Sequence, residues 1–146
     1  MTVRFAHVNV IAKDWRRLVE FYQRVFGCRP VPPERDQRGE WLDAVTGVRG
    51  THIRGLHLRL PGGAATLEIY SYRDAAPRPE IRPNTPGFSH IAFVVDDVED
   101  VARRVLAQGG STVGEVGHVT IDGVGRLTLQ YLADPEGNIV EVQQWG

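Results

Sequence analysis

The segment from Phe5 to Asp14 (FAHVNVIAKD) returns, changed but recognisable, as Phe88 to Asp97 (FSHIAFVVDD). Each copy has a Phe two residues before a His, a mostly apolar run, and an Asp seven residues beyond that His. Such a repeat constrains the fold more than any local propensity, because both halves must build the same kind of unit. In each copy the run before the Asp reads as a strand and the segment after it as a helix. Asp14 caps a helix to about Phe26, with Trp15, Leu18, Val19, Tyr22, Val25 and Phe26 at helical spacing and Gly27 at its end. Asp97 likewise caps a helix carrying Val98, Val101, Ala102, Val105 and Leu106, closed by Gly109 and Gly110.

The remaining stretches supply more strands. Leu56 to Leu60 alternates apolar and polar residues, Pro61 to Gly63 turns the chain, and Thr66 to Tyr72 returns. In the second half Arg126 to Leu132 and Ile139 to Gln143 flank the turn Asp134 to Asn138. Pro30, Pro32 and Pro33 predict irregular or edge structure over 29–39, and 41–47 reads equally as a short helix or a loop. Prolines at 77, 79, 83 and 86 mark a stiff connector. The expected architecture is α+β: a first β-α-β-β-β module over 1–72, a Pro-rich connector over 73–87, and a second module over 88–146.

Two histidines and two glutamates occupy matching places in these modules. His7 and His90 lie in the opening strands, Glu68 and Glu141 in the closing ones. Each Glu stands between apolar neighbours (Leu67 and Ile69, Val140 and Val142), so its carboxylate projects from the opposite face of the sheet. If those faces look inward, two imidazoles and two carboxylates converge. That donor set suits one divalent ion per site, Zn, Ni, Co, Mn or Fe, with positions left for a chelating substrate. Taken singly, each residue is more often structural or solvated; the duplication of both types is what raises them to candidate ligands.

On the segments HVNVIAKDWRRLVEFYQRVFG, ATLEIYSY, GFSHIAFVVDDVEDV and YLADPEGNIVEVQQ, the chain resembles the vicinal oxygen chelate superfamily. That superfamily includes glyoxalase I, methylmalonyl-CoA epimerase, extradiol dioxygenases and the fosfomycin and bleomycin resistance proteins. The resemblance implies paired β-α-β-β-β modules whose curved mixed sheets form a metal-centred cavity, with metal ligands at His7, Glu68, His90 and Glu141. A carboxylate at the Glu68 position resembles the glyoxalases and epimerases, whereas dioxygenases use two His and one carboxylate. Ile11 and Tyr72 stand where glutathione-binding members carry Arg and Asn, which points away from glutathione. With Trp41 and Tyr70 they suggest an apolar or aromatic wall and a less charged substrate, although core packing explains such residues equally well.

The expected function is therefore a metal-dependent lyase or isomerase that abstracts a proton next to a carbonyl, with Glu141 or Glu68 as base. The alternatives are an Fe(II) extradiol-type dioxygenase and a metal-free ligand-binding or antibiotic-resistance protein. Asn9, Thr128 and Gln130 are further pocket candidates, with His57, Arg59, Arg126 and Gln143 weaker ones. His118 could close over the site, His52 is expected at the surface, and Cys28 has no nucleophile context. A net charge of −1 gives no reason to expect nucleic acid. No run is long and apolar enough for a membrane, and the single cysteine excludes an intrachain disulfide. The chain is expected to be a cytoplasmic homodimer that binds a small molecule.

Overall fold

The structure is a computed structural model that describes residues 1–146. The chain divides into two compact units, Met1–Arg78 and Pro79–Gly146, with the boundary inside the Pro-rich connector. Unit one contains β1 (His7–Ile11), α1 (Trp15–Phe26), β2 (Arg29–Arg38), α2 (Glu40–Thr46), β3 (His52–Arg59) and β4 (Thr66–Tyr72). Unit two contains β5 (His90–Val94), α3 (Val98–Ala107), β6 (Ser111–Thr112), β7 (Gly117–Ile121), β8 (Gly125–Ala133) and β9 (Ile139–Trp145). The fold is mixed α+β with two open sheets.

Each sheet places the first and last strands of its unit side by side. Unit one has the order β1-β4-β3-β2 and unit two β5-β9-β8-β6, with β7 also paired to β8. The β1–β4 and β5–β9 pairs are parallel and the other pairs antiparallel. Parallel neighbours need a crossover, and the helix after each opening strand begins that path.

Local chemistry fixes the helices. The Asp14 carboxylate accepts from the Arg17 amide at 3.2 Å, and Gly27 ends α1 at a left-handed φ of 66° that residues with a Cβ avoid. Asp97 repeats the cap on α3, accepting from the Asp100 amide at 2.9 Å. Helix α1 packs on β3 and β4, burying Trp15, Leu18, Val19, Tyr22 and Val25 with Leu56, Leu58, Leu67 and Ile69. Helix α3 packs on β8 and β9, burying Val98, Val101 and Val105 with Leu132, Val140 and Val142. Each fully buried Leu or Val contributes roughly 1.5–3 kcal/mol. One face of each sheet is thereby committed to the core, and the other is left for polar side chains.

The structure settles three segments that the sequence reading left open. The Pro-rich stretch is a ten-residue strand, β2, on the edge of its sheet, where missing amide donors cost least. Residues 40–46 form α2, and Asp43 fastens the loop after it by accepting from the Gly50 and Thr51 amides at 2.7 and 2.8 Å. The Gly-rich stretch before β8 contains β6 and β7. Leu106 is exposed although spacing puts it on the apolar helix face, because the buried stripe of α3 is Val98, Val101 and Val105 and Leu106 lies round the helix from it.

Candidate metal centre

Register carries the site. In unit one Glu68 lies across from Asn9 on β1 and from His57 on β3. In unit two Glu141 lies across from Ala92 on β5 and from Tyr131 on β8. In both, the His stands two residues before the strand position that faces the Glu, so the two side chains share a face and meet diagonally. The outcome is the same pair made twice.

In unit one His7 Nε2 lies 3.3 Å from Glu68 Oε2. Asn9 donates Nδ2–H to that oxygen at 3.3 Å, and His57 Nε2 lies 3.0 Å from Oε1. His57 Nε2 also lies 2.7 Å from the Tyr70 hydroxyl. Burial holds His57 below the usual imidazole value, against the pull of Glu68, and the positive charge of Arg35 adds to the drop. Burial together with Glu68 pushes Tyr70 up, so its phenol keeps its proton near neutrality. Gly55 makes room for the Tyr70 ring: a Cβ there would meet Tyr70 Cδ1 at 2.3 Å and the Ile69 carbonyl at 2.0 Å.

In unit two His90 Nε2 lies 2.9 Å from Glu141 Oε2. Gln143 donates Nε2–H to Oε1 at 2.7 Å. The Tyr131 ring lies beside the His90 ring, centroids 4.9 Å apart. Glu141 is only 6% exposed, yet both carboxylate oxygens have partners. A pocket of about 240 Å³ in this unit is lined by Tyr131 with Pro83, Val113, Glu115, Leu129 and Gln130, and neither His90 nor Glu141 lines it.

Each unit offers one imidazole and one carboxylate, and no group of three or more His, Cys, Asp or Glu side chains is gathered as an ion site. Ligands bonded at 2.0–2.2 Å to adjacent corners of an octahedron or tetrahedron stand roughly 2.9–3.5 Å apart. The nitrogen-to-oxygen separations of 3.3 and 2.9 Å are of that size, and each pair joins an imidazole to a carboxylate.

The other candidates scatter. Ile11 and Tyr70 face each other across β1 and β4 on the His7–Glu68 side, and Tyr72 is on that side next to Ile53. Trp41 is outside the sheet on α2, 55% exposed. None of these four is buried core. Thr128 and Gln130 go to the opposite side from Glu141, because they pair with Gln144 and Val142. Val142 is buried in the core, and Gln130 reaches the Gly114 carbonyl at 2.9 Å. His118 is on β7 and shares a 3.0 Å hydrogen bond with Thr128, also away from Glu141. His52 pairs with Asp36 at 2.6 Å, and Arg59 bonds the Ala64 carbonyl. Arg126 bonds Gly146 through its backbone. Cys28 is buried, its thiol pushed up to about 11 by desolvation, and is chemically quiet. Arg35 and Tyr131 were not among the sequence candidates. Counting residues back from the Asp134–Asn138 turn would have placed Tyr131 opposite Glu141.

Comparison with known proteins gives the family and the fold. Residues 4–142 match the sequence model of the Glyoxalase/Bleomycin resistance protein/Dioxygenase superfamily, and the chain belongs to that family. It is similar to the lactoylglutathione lyase of Neisseria meningitidis, 26% identical over 142 residues that cover 97% of this chain and 91% of that one. It is equally similar to lactoylglutathione lyase GLX1 of Arabidopsis thaliana, 26% identical over 144 residues, but spans only 44% of that longer protein. A crystallised glyoxalase family protein from Bacillus cereus shares the fold, with a TM-score of 0.83 at 20% identity over 99% of this chain and 95% of that one.

Proposed function

We propose that the chain is a divalent-metal-dependent lyase or isomerase acting on a small carbonyl compound, with His7, Glu68, His90 and Glu141 as metal ligands. The observation that carries this reading is the repetition of one His–Glu pair, in the same register, in both units. The likeness to lactoylglutathione lyases supports the reaction class. A bound ion supplies Lewis-acid polarisation of the substrate oxygen, which acidifies the neighbouring C–H.

The chain's own groups handle the proton. Glu141 or Glu68 removes it from the carbon next to the carbonyl and returns it to that carbon or its neighbour. Gln143 fixes Glu141 through Oε1, while Asn9 and His57 fix Glu68. Ser89 Oγ, 3.4 Å from His90 Nδ1, helps set the ring so that Nε2 faces Glu141.

Protein purified without chelators should contain a stoichiometric divalent ion by elemental analysis. It should also exchange substrate α-hydrogen with deuterated water across a panel of 2-oxo thioesters and hemithioacetals. Metal-free protein, or no exchange with any panel member, sinks the reading. A second reading, an Fe(II) dioxygenase using only His7, His90 and Glu141, is favoured by one fact. Besides its paired His, Glu68 is held by two neighbours, His57 and Asn9, where Glu141 is held by Gln143. Oxygen uptake with a catechol, unaffected by Glu68→Gln, would decide for it.

A further inference from the structure

We infer that Arg35 and Tyr70 form an anion subsite beside the His7–Glu68 pair, so that the substrate carries a carboxylate remote from its metal-binding oxygens. This rests on the metal-site reading for the place of the chelating end, but not for the Arg35 contact itself.

The charged run of β2 contains the argument. Its acidic members pair off: Glu34 binds Arg16 at 3.1 Å, and Asp36 binds His52 at 2.6 Å and Arg54 at 3.4 Å. Arg35, between them in sequence, has no carboxylate within 4.0 Å. Alternation explains the difference, since side chains of neighbouring strand residues point to opposite faces. The pairing of β2 with β3 shifts between Val31 and Arg35, and beyond the shift Arg35 lies across from Gly55. Gly55 lies across from Tyr70 on the other side of β3. Arg35, Gly55, Tyr70 and Glu68 therefore share the face that bears His7.

Side-chain electrostatics agree with the register. Arg35 hydrogen-bonds the Pro33 carbonyl, and its positive charge acts on Tyr70 and His57. A guanidinium has five N–H donors, so this contact leaves donors to spare. Its fork matches a carboxylate in two parallel bonds, and a charge-assisted pair of that kind is strong when half buried. Gly55 completes the notch, since any side chain there would fill the space next to the Tyr70 ring. A half-buried arginine without a counter-ion, on the same sheet face as a candidate metal pair, is a ready receptor for an anionic group. This amends the expectation of a less charged substrate drawn from Ile11 and Tyr72: one carboxylate is read by β2, not by β1 or β4.

Two binding measurements test it. The first compares succinic acid monohydroxamate with butyrohydroxamic acid on Co(II)-loaded protein. Both carry the same chelating group, and only the first has a remote carboxylate. Wild-type protein should prefer the carboxylated ligand by about tenfold or more. Arg35→Met should erase that preference without changing cobalt content or butyrohydroxamate affinity, and Arg35→Lys should keep part of it. Equal binding by wild type, or a preference that survives in Arg35→Met, overturns the proposal. The second follows the Arg35 Nε–Hε NMR signal of metal-free protein, assigned by its loss in Arg35→Lys. Glutarate should shift it saturably and glutaramide should not. If neither hydroxamate binds, the metal reading falls, and the NMR titration decides Arg35 alone: a shift upholds the subsite and an unmoved signal ends it.

Discussion

The two units make the same pair from different surroundings. Around Glu68 stand His57, Asn9 and Tyr70; in the matching places around Glu141 stand Tyr131, Ala92 and Gln143. Unit one thus surrounds its carboxylate with titratable and hydrogen-bonding groups and adds Arg35 nearby. Unit two buries its carboxylate, gives it one amide donor, and lines its pocket with Leu129, Val113 and Pro83. Duplication preserved the His–Glu geometry, while the neighbouring positions diverged. The unit-one carboxylate stands among polar and titratable groups, and the unit-two carboxylate is the more deeply buried.

The largest effect expected from this contrast is on the carboxylates. Glu141→Gln should lower turnover by roughly 100-fold or more together with metal content, because its near-complete burial leaves little room for water to replace a lost ligand. Glu68→Gln should cost less, on the order of 10-fold, since His57 and Asn9 can still order the neighbourhood. Metal analysis alongside steady-state kinetics reads both, and equal losses would break the asymmetry.

Core packing should show no such asymmetry. Leu67→Ala and Leu132→Ala, each at a fully buried position under a helix, should both cost about 2–5 kcal/mol in urea unfolding. A cost below 1 kcal/mol for either would mean that its helix does not seal the sheet.

The notch is special to unit one, because the position matching Gly55 in unit two is Leu129. Gly55→Ala should destabilise by about 1–3 kcal/mol through overpacking against Tyr70 and the Ile69 carbonyl. Leu129→Ala, at a half-buried pocket position, should cost less. The two unfolding curves give the order directly.

The smallest effect concerns acid stability. The His52 ring hydrogen-bonded to Asp36, with Arg54 and Arg38 near, holds that carboxyl below its ordinary 3.8. A depressed carboxyl stabilises the fold above its unfolded value, and the contribution disappears as pH falls through the folded value. Wild type and Asp36→Asn should therefore differ slightly at neutral pH and converge in strong acid when unfolding midpoints are followed against pH. An equal difference at every pH would remove the pair from the acid limb.

Much of this was legible in the sequence because alternation is a local property. Leu67 and Ile69 flanking Glu68, and Val140 and Val142 flanking Glu141, fix which way each carboxylate points before any partner strand is known. What alternation does not give is which alternate face the helix will cover. Polarity alone does not tell whether Thr128 and Gln130 share the face of Glu141, although Gln130 does line the unit-two pocket. They share parity with Leu132, however, and Leu132 lies beneath α3. Arg35 was hidden for another reason. The prolines of β2 make it read as irregular, and only the shifted pairing with β3 reveals that Arg35 faces Gly55. His57 and Tyr131 lie between these extremes, recoverable by counting outward from a hairpin turn to the facing Glu.

The adjacency of first and last strands has a consequence for how the protein holds its shape. His7 and Glu68 come from the two ends of unit one, and His90 and Glu141 from the two end strands of unit two. The members of each pair are separated by most of the chain of their unit, so each pair is a clasp that closes at a high loop-closure cost. Anything that grips a fastened clasp, and not an open one, adds its binding free energy to the work of prising that unit apart. Loading the ligands would then be felt throughout the sheet, as slower amide exchange in strands that never touch the ion.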